Sequence, residues 1–527
     1  MPFGPLRPRP RPVSLEEEDA VETTTAPAET ETEDTATEAA TAAQTAETAA
    51  TPAAAAPAVR EKPAPRRVVR RAGPPSFVLR DLRVSGNSNY LAAANIAAFE
   101  RELEGRRFLN ASVDEIAAAF GQLYAEADIS TASARVQAFS PGRGVLTLQL
   151  VEPTLGKVQV GEGIISDRYY AYRLNLQPGM LADDREINAR LQQLQLTDGI
   201  PLQVGFQPTG ALDVVDLAIA PPPLERHTSF ATLDNYGSAA QGEAQLTLGH
   251  TINSLTGWND PLSAFLTFRE GSVAGTLSYQ RVVSRQGAVL GLSLSRSATE
   301  SLSTTPVDGN LDTATLSLSV PIVIEQARRL TFNGALRHFR ETADLAGARI
   351  LDQRGTDVVL GLVGFQRAET WTLSGGLQYI IGRFSAGGGP DQRYDIVAAN
   401  MSYSRTLTKD MFGSITVAGQ RVTRGLAPAS RQFTVTSPSG VRGYPTSLTS
   451  DDDGYYVRLQ LEKSTPYQFA GNTFGLRPFV FFDMGENYDT AGNGLGVARS
   501  VCPGASFFYQ QNLFGDIYIA KAVNREV

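Results

Sequence analysis

Residues 289–297 read VLGLSLSRS, in which leucines alternate with small, mostly polar residues. Successive side chains of an extended chain point to opposite faces, so this segment has one apolar face and one polar face. The same alternation recurs in TATLSLSV (313–320) and YVRLQLE (456–462). About fifteen such segments, separated by turn residues, occur over residues 224–527. The pattern predicts antiparallel strands whose two faces meet different surroundings.

Long alternating strands are typical of a transmembrane β-barrel, whose outer face meets lipid and whose inner face meets water. A soluble β-sandwich also alternates, but its strands are usually nearer five or six residues. The chain has 527 residues, of which 42% are hydrophobic and 19% charged, and its net charge is -8. No run approaches the ~18 consecutive apolar residues of a membrane helix. We therefore predict a barrel over residues 224–527, with about 16 strands because an even number is expected.

Two smaller units precede this barrel. Residues 75–152 give a strand, two helices and a hairpin around Pro141-Gly142, with the helices predicted over 91–105 and 112–127. Residues 153–223 repeat the order β-α-α-β-β more loosely. The predicted elements of this second unit are a strand at 155–163, a helix at 181–195 and strands at 202–208 and 212–221. Three prolines, Pro221 to Pro223, mark its boundary.

Residues 1–74 are rich in Ala, Thr, Glu and Pro, a composition that predicts a disordered N-terminal region and linker. The basic run RRVVRR (66–71) is expected to be solvated linker, with contact to anionic lipid or a partner as the alternative. The first twenty residues lack the apolar core of a signal peptide. The last residues, DIYIAKAVNREV, lack an aromatic-tipped closing strand. We expect the signal peptide to lie upstream and the final strand to be hidden or missing.

Two motifs in the predicted barrel stand about 40 residues apart. The first is Val441-Arg442-Gly443-Tyr444, within SPSGVRGYPTS, where Gly443 gives the loop conformational freedom. The second is Phe481-Phe482-Asp483-Met484-Gly485, within RPFVFFDMGEN. Strand alternation puts Asp483 on a mixed polar and aromatic face, as expected of a wall that faces a water-filled lumen; its companions there are Arg477, Phe479 and Phe481. A weaker third motif is LDNYG (233–237).

These motifs and the repeat resemble the superfamily of outer-membrane transporters with POTRA domains. A pair of POTRA units is similar to the two-partner secretion branch, the hemolysin or filamentous-haemagglutinin secretion/activation proteins. The resemblance covers about residues 76–521 and matches the VRGY and F-x-D-x-G motifs of the family. It implies that VRGY lies at the tip of a loop folded into the lumen, and that Arg442 pairs with Asp483 on the wall. An arginine fork on a carboxylate gives orientation as well as attraction.

The same resemblance implies a function, partners and a location. A secreted exoprotein would arrive unfolded in the periplasm, and its N-terminal secretion domain would add along an edge of the POTRA units. The exoprotein would then cross the outer membrane through the barrel. The other expected partners are outer-membrane lipid, and periplasmic chaperones and barrel-assembly machinery during biogenesis. We expect a monomer without cofactor or metal. The family's plug helix has no clear amphipathic counterpart in residues 1–74.

Other functional classes have little support in the sequence. It lacks HExxH, GxSxG and paired-cysteine spacings and has one cysteine, Cys502, so we predict no catalytic residues. The run Asp451 to Asp453 is expected to be solvated, with weak cation binding as the alternative. Mild acidity argues against a nucleic-acid partner. Two alternatives stay open: an insertase of the same superfamily, which usually carries more POTRA units, and a passive porin, which would need none.

Overall fold

The computed structural model describes residues 75–211, 213–238, 240–469, 472–489, 491–509 and 513–523. The segment 1–74, for which disorder was predicted, lies outside these residues. Among the helices in the described ranges, none is long and apolar enough to cross a bilayer.

The first folded unit is a three-stranded sheet packed against two helices. Its elements are β1 (Ser76–Val78), β2 (Asp81–Ser85), α1 (Ala93–Leu103), β3 (Arg107–Leu109), a 3₁₀ turn (Asn110–Ser112), α2 (Val113–Glu126), β4 (Ser133–Ser140) and β5 (Val145–Val151). The sheet order is β2–β5–β4, with β2 parallel to β5, and β1 and β3 form a separate pair. Both predicted helices are present. Phe120 and Tyr124 of α2 are fully buried in one apolar core with Leu148 of β5.

The second unit repeats this topology. Its elements are β6 (Thr154–Val160), α3 (Asp167–Leu174), α4 (Asp184–Asp198), β7 (Gln203–Pro208) and β8 (Val214–Ala220). The sheet order is β6–β8–β7, with β6 parallel to β8. Helix α3 has no counterpart in the sequence prediction, which gave this unit one helix.

The predicted start of the second unit's long helix was wrong. The helix begins at Asp184, because the carboxylate of Asp183 accepts hydrogen bonds from the amides of Arg185 (3.0 Å) and Glu186 (3.3 Å) and caps it. Burial acts to raise the pKa of Asp183, but its hydrogen bonds with Arg185 and Glu186 outweigh burial and hold the pKa below its usual value. Leu181, the first residue of the predicted helix, forms a β-bridge with Thr154 instead.

The described part of residues 227–522 forms one closed antiparallel barrel. Its segments in the described residues are β9 (His227–Asp234), β10 (Gln245–Ile252), β11 (Leu262–Arg269), β12 (Ser272–Val282), β13 (Val289–Glu300), β14 (Val307–Ile324), β15 (Arg328–Leu345), β16 (Ala348–Arg367), β17 (Trp371–Ala386), β18 (Gln392–Thr408), β19 (Met411–Arg424), β22 (Asp453–Lys463), β23 (Thr465–Phe469), β24 (Asn472–Tyr488), β25 (Gly494–Tyr509), β26 (Leu513–Tyr518) and β27 (Lys521–Ala522). Segments β22 and β23 both pair with β24, and β26 and β27 both pair with β25. A short hairpin, β20 (Phe433–Thr434) with β21 (Ser450–Asp451), lies between β19 and β22. The predicted fold class is confirmed.

The barrel's outer face is apolar, as the alternation predicted. Leu290, Leu292 and Leu294 of β13 are each more than 40% exposed, and leucines on most other strands point outward in the same way. On β24 the outward Val480 and Phe482 alternate with the buried Phe479 and Phe481. An apolar belt of this extent is suited to lipid rather than to water.

The second unit docks on one rim of the barrel. Arg173 of α3 donates hydrogen bonds to the main-chain carbonyls of Ser284 and Arg285, in the turn between β12 and β13. An ion pair with Asp198 holds its guanidinium, with 2.6 Å between Nη2 and Oδ1 and both side chains 1% exposed. Tyr172 donates to the carbonyl of Val283 in the same turn, at 3.2 Å. These bonds fasten helix α3 to the turn 283–288.

A second barrel turn, 253–261, completes this docking surface. The amide of Ser166 donates to the carbonyl of Gly257 at 2.8 Å. The ring of Trp258 lies edge-on to Tyr169, with centroids 5.5 Å apart, and the guanidinium of Arg281 lies 5.1 Å from the Trp258 centroid. Burial and the nearby carboxylate of Asp198 raise the pKa of Tyr169, so its hydroxyl stays protonated and donates to Asp198. This rim of the barrel therefore faces the POTRA-like units.

Candidate functional site

The connection between β19 and β22, residues 425–452, folds back into the barrel, and we call it the lumen loop. Strands alternate in direction, so successive connections alternate between the two rims. Counting from the turn 283–288, the lumen loop leaves from the rim opposite the second unit. It carries the VRGY motif at 441–444 and contacts the wall strands β22, β24 and β25 through ion pairs, hydrogen bonds and apolar packing.

Arg442 and Asp483 form the first anchor of the lumen loop. Nε of Arg442 lies 2.7 Å from Oδ2 of Asp483, and Nη2 lies 3.0 Å from Oδ1. The amide of Arg442 also donates to Oδ2, at 3.2 Å. Asp483 is fully buried and the Arg442 side chain is 7% exposed. A two-pronged contact fixes the orientation of the loop tip as well as its position.

Three wall side chains of β22 and β24 surround this pair. The ring of Phe481 lies beneath the guanidinium, with Cζ of Arg442 3.4 Å from its centroid, which adds a cation–π contact. Gln460 accepts a hydrogen bond from Nη1 of Arg442 at 3.0 Å. Arg458 lies beside the carboxylate, with its Nε 3.9 Å from Oδ1 of Asp483. The sequence did not single out Gln460 or Arg458, although both lie on the polar face of the alternating segment YVRLQLE.

The two glycines of the motifs allow the loop and the wall to approach closely. Gly443 has φ +87°, and a Cβ built there would lie 2.5 Å from Cβ of Ala520. A Cβ on Gly485 would lie 2.6 Å from the carbonyl oxygen of Tyr455 and 2.7 Å from Cγ1 of Val435, a lumen-loop residue. Both positions therefore exclude a larger side chain.

The remaining motif residues pack the loop onto the wall. Val441 is fully buried in an apolar cluster with Val435 and Ala498. The Tyr444 hydroxyl lies 2.8 Å from the carbonyl oxygen of Arg499 on β25 and 3.0 Å from its amide nitrogen. The structure thus brings all four residues of VRGY against the strands around Phe481, Asp483 and Gly485.

The third motif, LDNYG, meets the same loop. It lies at the end of β9, where Oδ1 of Asp234 accepts a hydrogen bond from the amide of Tyr236 at 2.9 Å. Thr446 of the lumen loop donates to the carbonyl of Tyr236, also at 2.9 Å. The loop therefore contacts both ends of the barrel sequence.

The acidic run 451–453 was wrongly predicted to be solvated. Asp452 is 4% exposed, and Oδ1 of Asp453 accepts a hydrogen bond from the amide of Val422 at 2.6 Å. The run ends the lumen loop and begins β22, so it is folded into the wall. Within the described ranges, no group of His, Cys, Asp and Glu side chains is arranged to hold a metal ion.

A family model described as haemolysin secretion/activation protein ShlB/FhaC/HecB matches residues 215–502, more than half of the chain. The chain belongs to this family. Members of the haemolysin secretion/activation family are outer-membrane transporters of two-partner secretion systems, each working with a secreted exoprotein. The predicted function is thereby confirmed, and the family match favours secretion over the insertase and porin alternatives.

Individual relatives are similar to this chain in sequence or in fold. The heme/hemopexin transporter protein HuxB of Haemophilus influenzae (strain 86-028NP) is 19% identical over 440 residues, which cover 79% of this chain and 76% of HuxB. CdiB from Escherichia coli has a similar fold, with a TM-score of 0.60 and 17% identity over 88% of this chain and 89% of that one. CdiB from Acinetobacter baumannii gives a TM-score of 0.59 and 18% identity over 85% and 87%.

Proposed function

We propose that this chain captures an unfolded exoprotein in the periplasm and passes it through the barrel lumen when the lumen loop moves aside. The domains proposed for this task are a linker region (1–74), two POTRA units (75–152 and 153–223) and a transmembrane barrel (224–527). The second unit binds the rim opposite the exit of the lumen loop, which supports a periplasmic position for both units. The barrel acts as a monomer in outer-membrane lipid, after delivery by periplasmic chaperones and the barrel-assembly machinery.

The observation that carries this proposal is the first anchor. A buried arginine–carboxylate pair needs close geometry, because each partner would otherwise leave an uncompensated charge. Here that geometry joins a long loop to the lumen wall rather than two neighbouring strands. A loop held on the wall by specific side-chain contacts such as this pair can have two positions, one anchored and one withdrawn. The proposed site residues are the VRGY loop, the wall residues Phe481 and Gly485, and the Arg442–Asp483 pair.

The POTRA units offer sheet edges for the exoprotein's N-terminal secretion domain. Strand β4 is an edge of the first sheet and β7 an edge of the second. An extended segment of the exoprotein could add to either edge through main-chain hydrogen bonds. Arg135 on β4 and Gln207 on β7 are exposed positions on these edges. Glu102 on α1 is an exposed position on a helix, away from the edges.

Photo-crosslinking tests this proposal directly. A benzophenone amino acid would replace Arg135, Gln207 or Glu102, each in a cell that co-produces a family-type exoprotein from the same genome. We expect adducts with the exoprotein at Arg135 or Gln207 and a much weaker one at Glu102. Adducts confined to Glu102, or export that proceeds without adducts at either strand edge, would contradict capture along the strands.

A further inference from the structure

The first half of the lumen loop has its own ionic contact with the wall. Nη2 of Arg431 lies 2.6 Å from Oδ1 of Asp357, and Nε lies 3.1 Å from Oδ2. Asp357 is on β16, and its side chain is fully buried, while that of Arg431 is 13% exposed. The geometry repeats the two-pronged contact of the first anchor. It joins residues 74 positions apart in the sequence, and neither belongs to a motif.

Hydrogen bonds between main-chain groups of the loop and side chains of the wall hold the loop at the same place. The 3₁₀ turn Ala429–Arg431 presents the amides of Ala429 and Ser430 to the wall, where Ser430 donates to Oε2 of Glu341 at 2.9 Å. The side chain of Gln420 donates to the carbonyls of Arg431 (2.7 Å) and Asp452 (3.0 Å), so it links the two ends of the loop. The turn therefore lies in a polar pocket of β15, β16 and β19.

Each wall carboxylate has a second arginine within reach. Asp357 accepts a hydrogen bond from Nη1 of Arg337 on β15 at 3.3 Å, and another from the Tyr394 hydroxyl at 2.8 Å. Arg458 takes the corresponding position beside Asp483, at 3.9 Å. At both sites one arginine belongs to the loop and one to the wall.

This arrangement changes the free energy of withdrawing the loop. Removing the partner of a buried charge is strongly destabilising because the remaining charge is uncompensated. A wall arginine keeps the carboxylate paired after the loop arginine leaves, so withdrawal becomes less costly. Arg337, with a closer contact than Arg458, provides this compensation more fully at Asp357.

We propose that Arg431 and Asp357 form a second anchor that holds the lumen loop in the pore, and that Arg337 neutralises Asp357 when the loop withdraws. This inference rests on the proposed role of the lumen loop as the gate. Arg431 is then a positioning residue for transport, and Arg337 sets how readily the gate opens. The two arginines, which contact the same carboxylate, have opposite effects on opening.

Ion conductance through the purified full chain in planar bilayers tests this inference without an exoprotein. We expect Arg431→Ala to raise the probability of large-conductance openings about tenfold, since the loop loses one of its anchors. Arg431→Lys should open less often than Arg431→Ala, because lysine keeps the positive charge but cannot form the two-pronged contact. Arg337→Ala should lower the opening probability below that of the unmodified chain, because withdrawal would then leave Asp357 with a hydroxyl partner but no cation.

Arg340→Ala is the matched control. Arg340 and Asp352 also join β15 to β16, but at 3.8 Å and with exposed side chains, so this change should leave the openings as they are. Heat-modifiable migration on gels would check that every variant forms a folded barrel. The inference is overturned if folded Arg431→Ala opens no more often than Arg340→Ala, or if Arg337→Ala opens more often than the unmodified chain. If Arg442→Ala also leaves the openings unchanged, the proposed gate itself is refuted. If Arg431→Ala leaves them unchanged but Arg442→Ala does not, only the second anchor is refuted.

Discussion

Arg173 of the second unit donates a hydrogen bond to the main-chain carbonyl of Arg285 in a barrel turn. The contact depends on Asp198, which holds the guanidinium in place. Because the carbonyl belongs to the backbone, the turn's part in the contact does not depend on its own side chains. This contact thus relies on three groups: one arginine, one carboxylate and the fold of a six-residue turn, 283–288.

We predict that Asp198→Ala loosens this junction. Breaking a buried ion pair from one side typically costs about 3–5 kcal/mol, because the remaining charge is left unpaired. Hydrogen exchange on the full chain should then quicken at the amides of Val283 and Gly287, which bond within the turn. Glu102→Ala serves as the control, since its pair with Arg106 is exposed. Unchanged exchange in the turn would mean that the apolar contacts of Trp258 suffice.

We predict that Arg442→Ala and Asp483→Ala each reduce export at least about tenfold while the barrel still inserts, because either change removes the two-pronged contact that holds the loop tip on the wall. Export needs a loop that returns to one defined position after each passage. The measurement is exoprotein in the medium relative to folded transporter in the outer membrane. Arg296→Ala, which disrupts an exposed pair with Asp312, is the control and should export normally. Normal export by either anchor variant would show that the pairing is not functional.

We predict that Gly443→Ala impairs export more than Gly492→Ala. Both glycines have positive φ, +87° and +86°, so both substitutions carry the same kind of backbone strain. They differ in their surroundings, because a Cβ at 443 meets Ala520 whereas nothing lies within 4 Å of a Cβ at 492. A comparison of exported protein per folded barrel isolates the contact with Ala520. Equal defects would attribute the effect to strain alone.

We predict that Leu292→Arg hinders barrel insertion and that Ser293→Arg does not. Leu292 faces outward and Ser293 faces the lumen on the same strand. A charged residue on the lipid face costs about 2–4 kcal/mol at the bilayer midplane, and lumen positions are tolerant. The measurement is the heat-modifiable fraction in outer-membrane preparations. A smaller folded fraction for Ser293→Arg than for Leu292→Arg would reverse the assignment of the two faces.

The sequence predicted the parts of the fold that depend on local pattern. Alternation in VLGLSLSRS gave both the strand and the direction of its leucines, since a period of two leaves little choice once one face is apolar. The first unit's helices were also predicted, because their apolar residues recur at helical spacing. Helix α3 was missed, since DRYYAYRL (167–174) buries two adjacent tyrosines and an arginine and so lacks a simple apolar stripe.

The site was only partly predictable. Arg442 and Asp483 were paired through a resemblance between motifs, and their positions in the fold agree with that pairing. Arg431 and Asp357 have no motif, and their contact depends on how the loop crosses the lumen. Asp452 was misassigned because three consecutive carboxylates usually indicate a solvent-exposed segment, whereas this run lies at the start of a strand. Long-range polar contacts of this kind follow from tertiary packing, which local patterns do not encode.

The lumen loop is attached at both ends to the rim that is farther from the POTRA-like units. A polypeptide arriving from those units would press the lumen loop toward the rim to which the loop is attached. Movement in that direction takes the loop out of the lumen. Material moving the other way would press it onto Asp357 and Asp483. We therefore expect the pore to allow transport in one direction, away from the POTRA-like units. The rim to which the lumen loop is attached determines that direction.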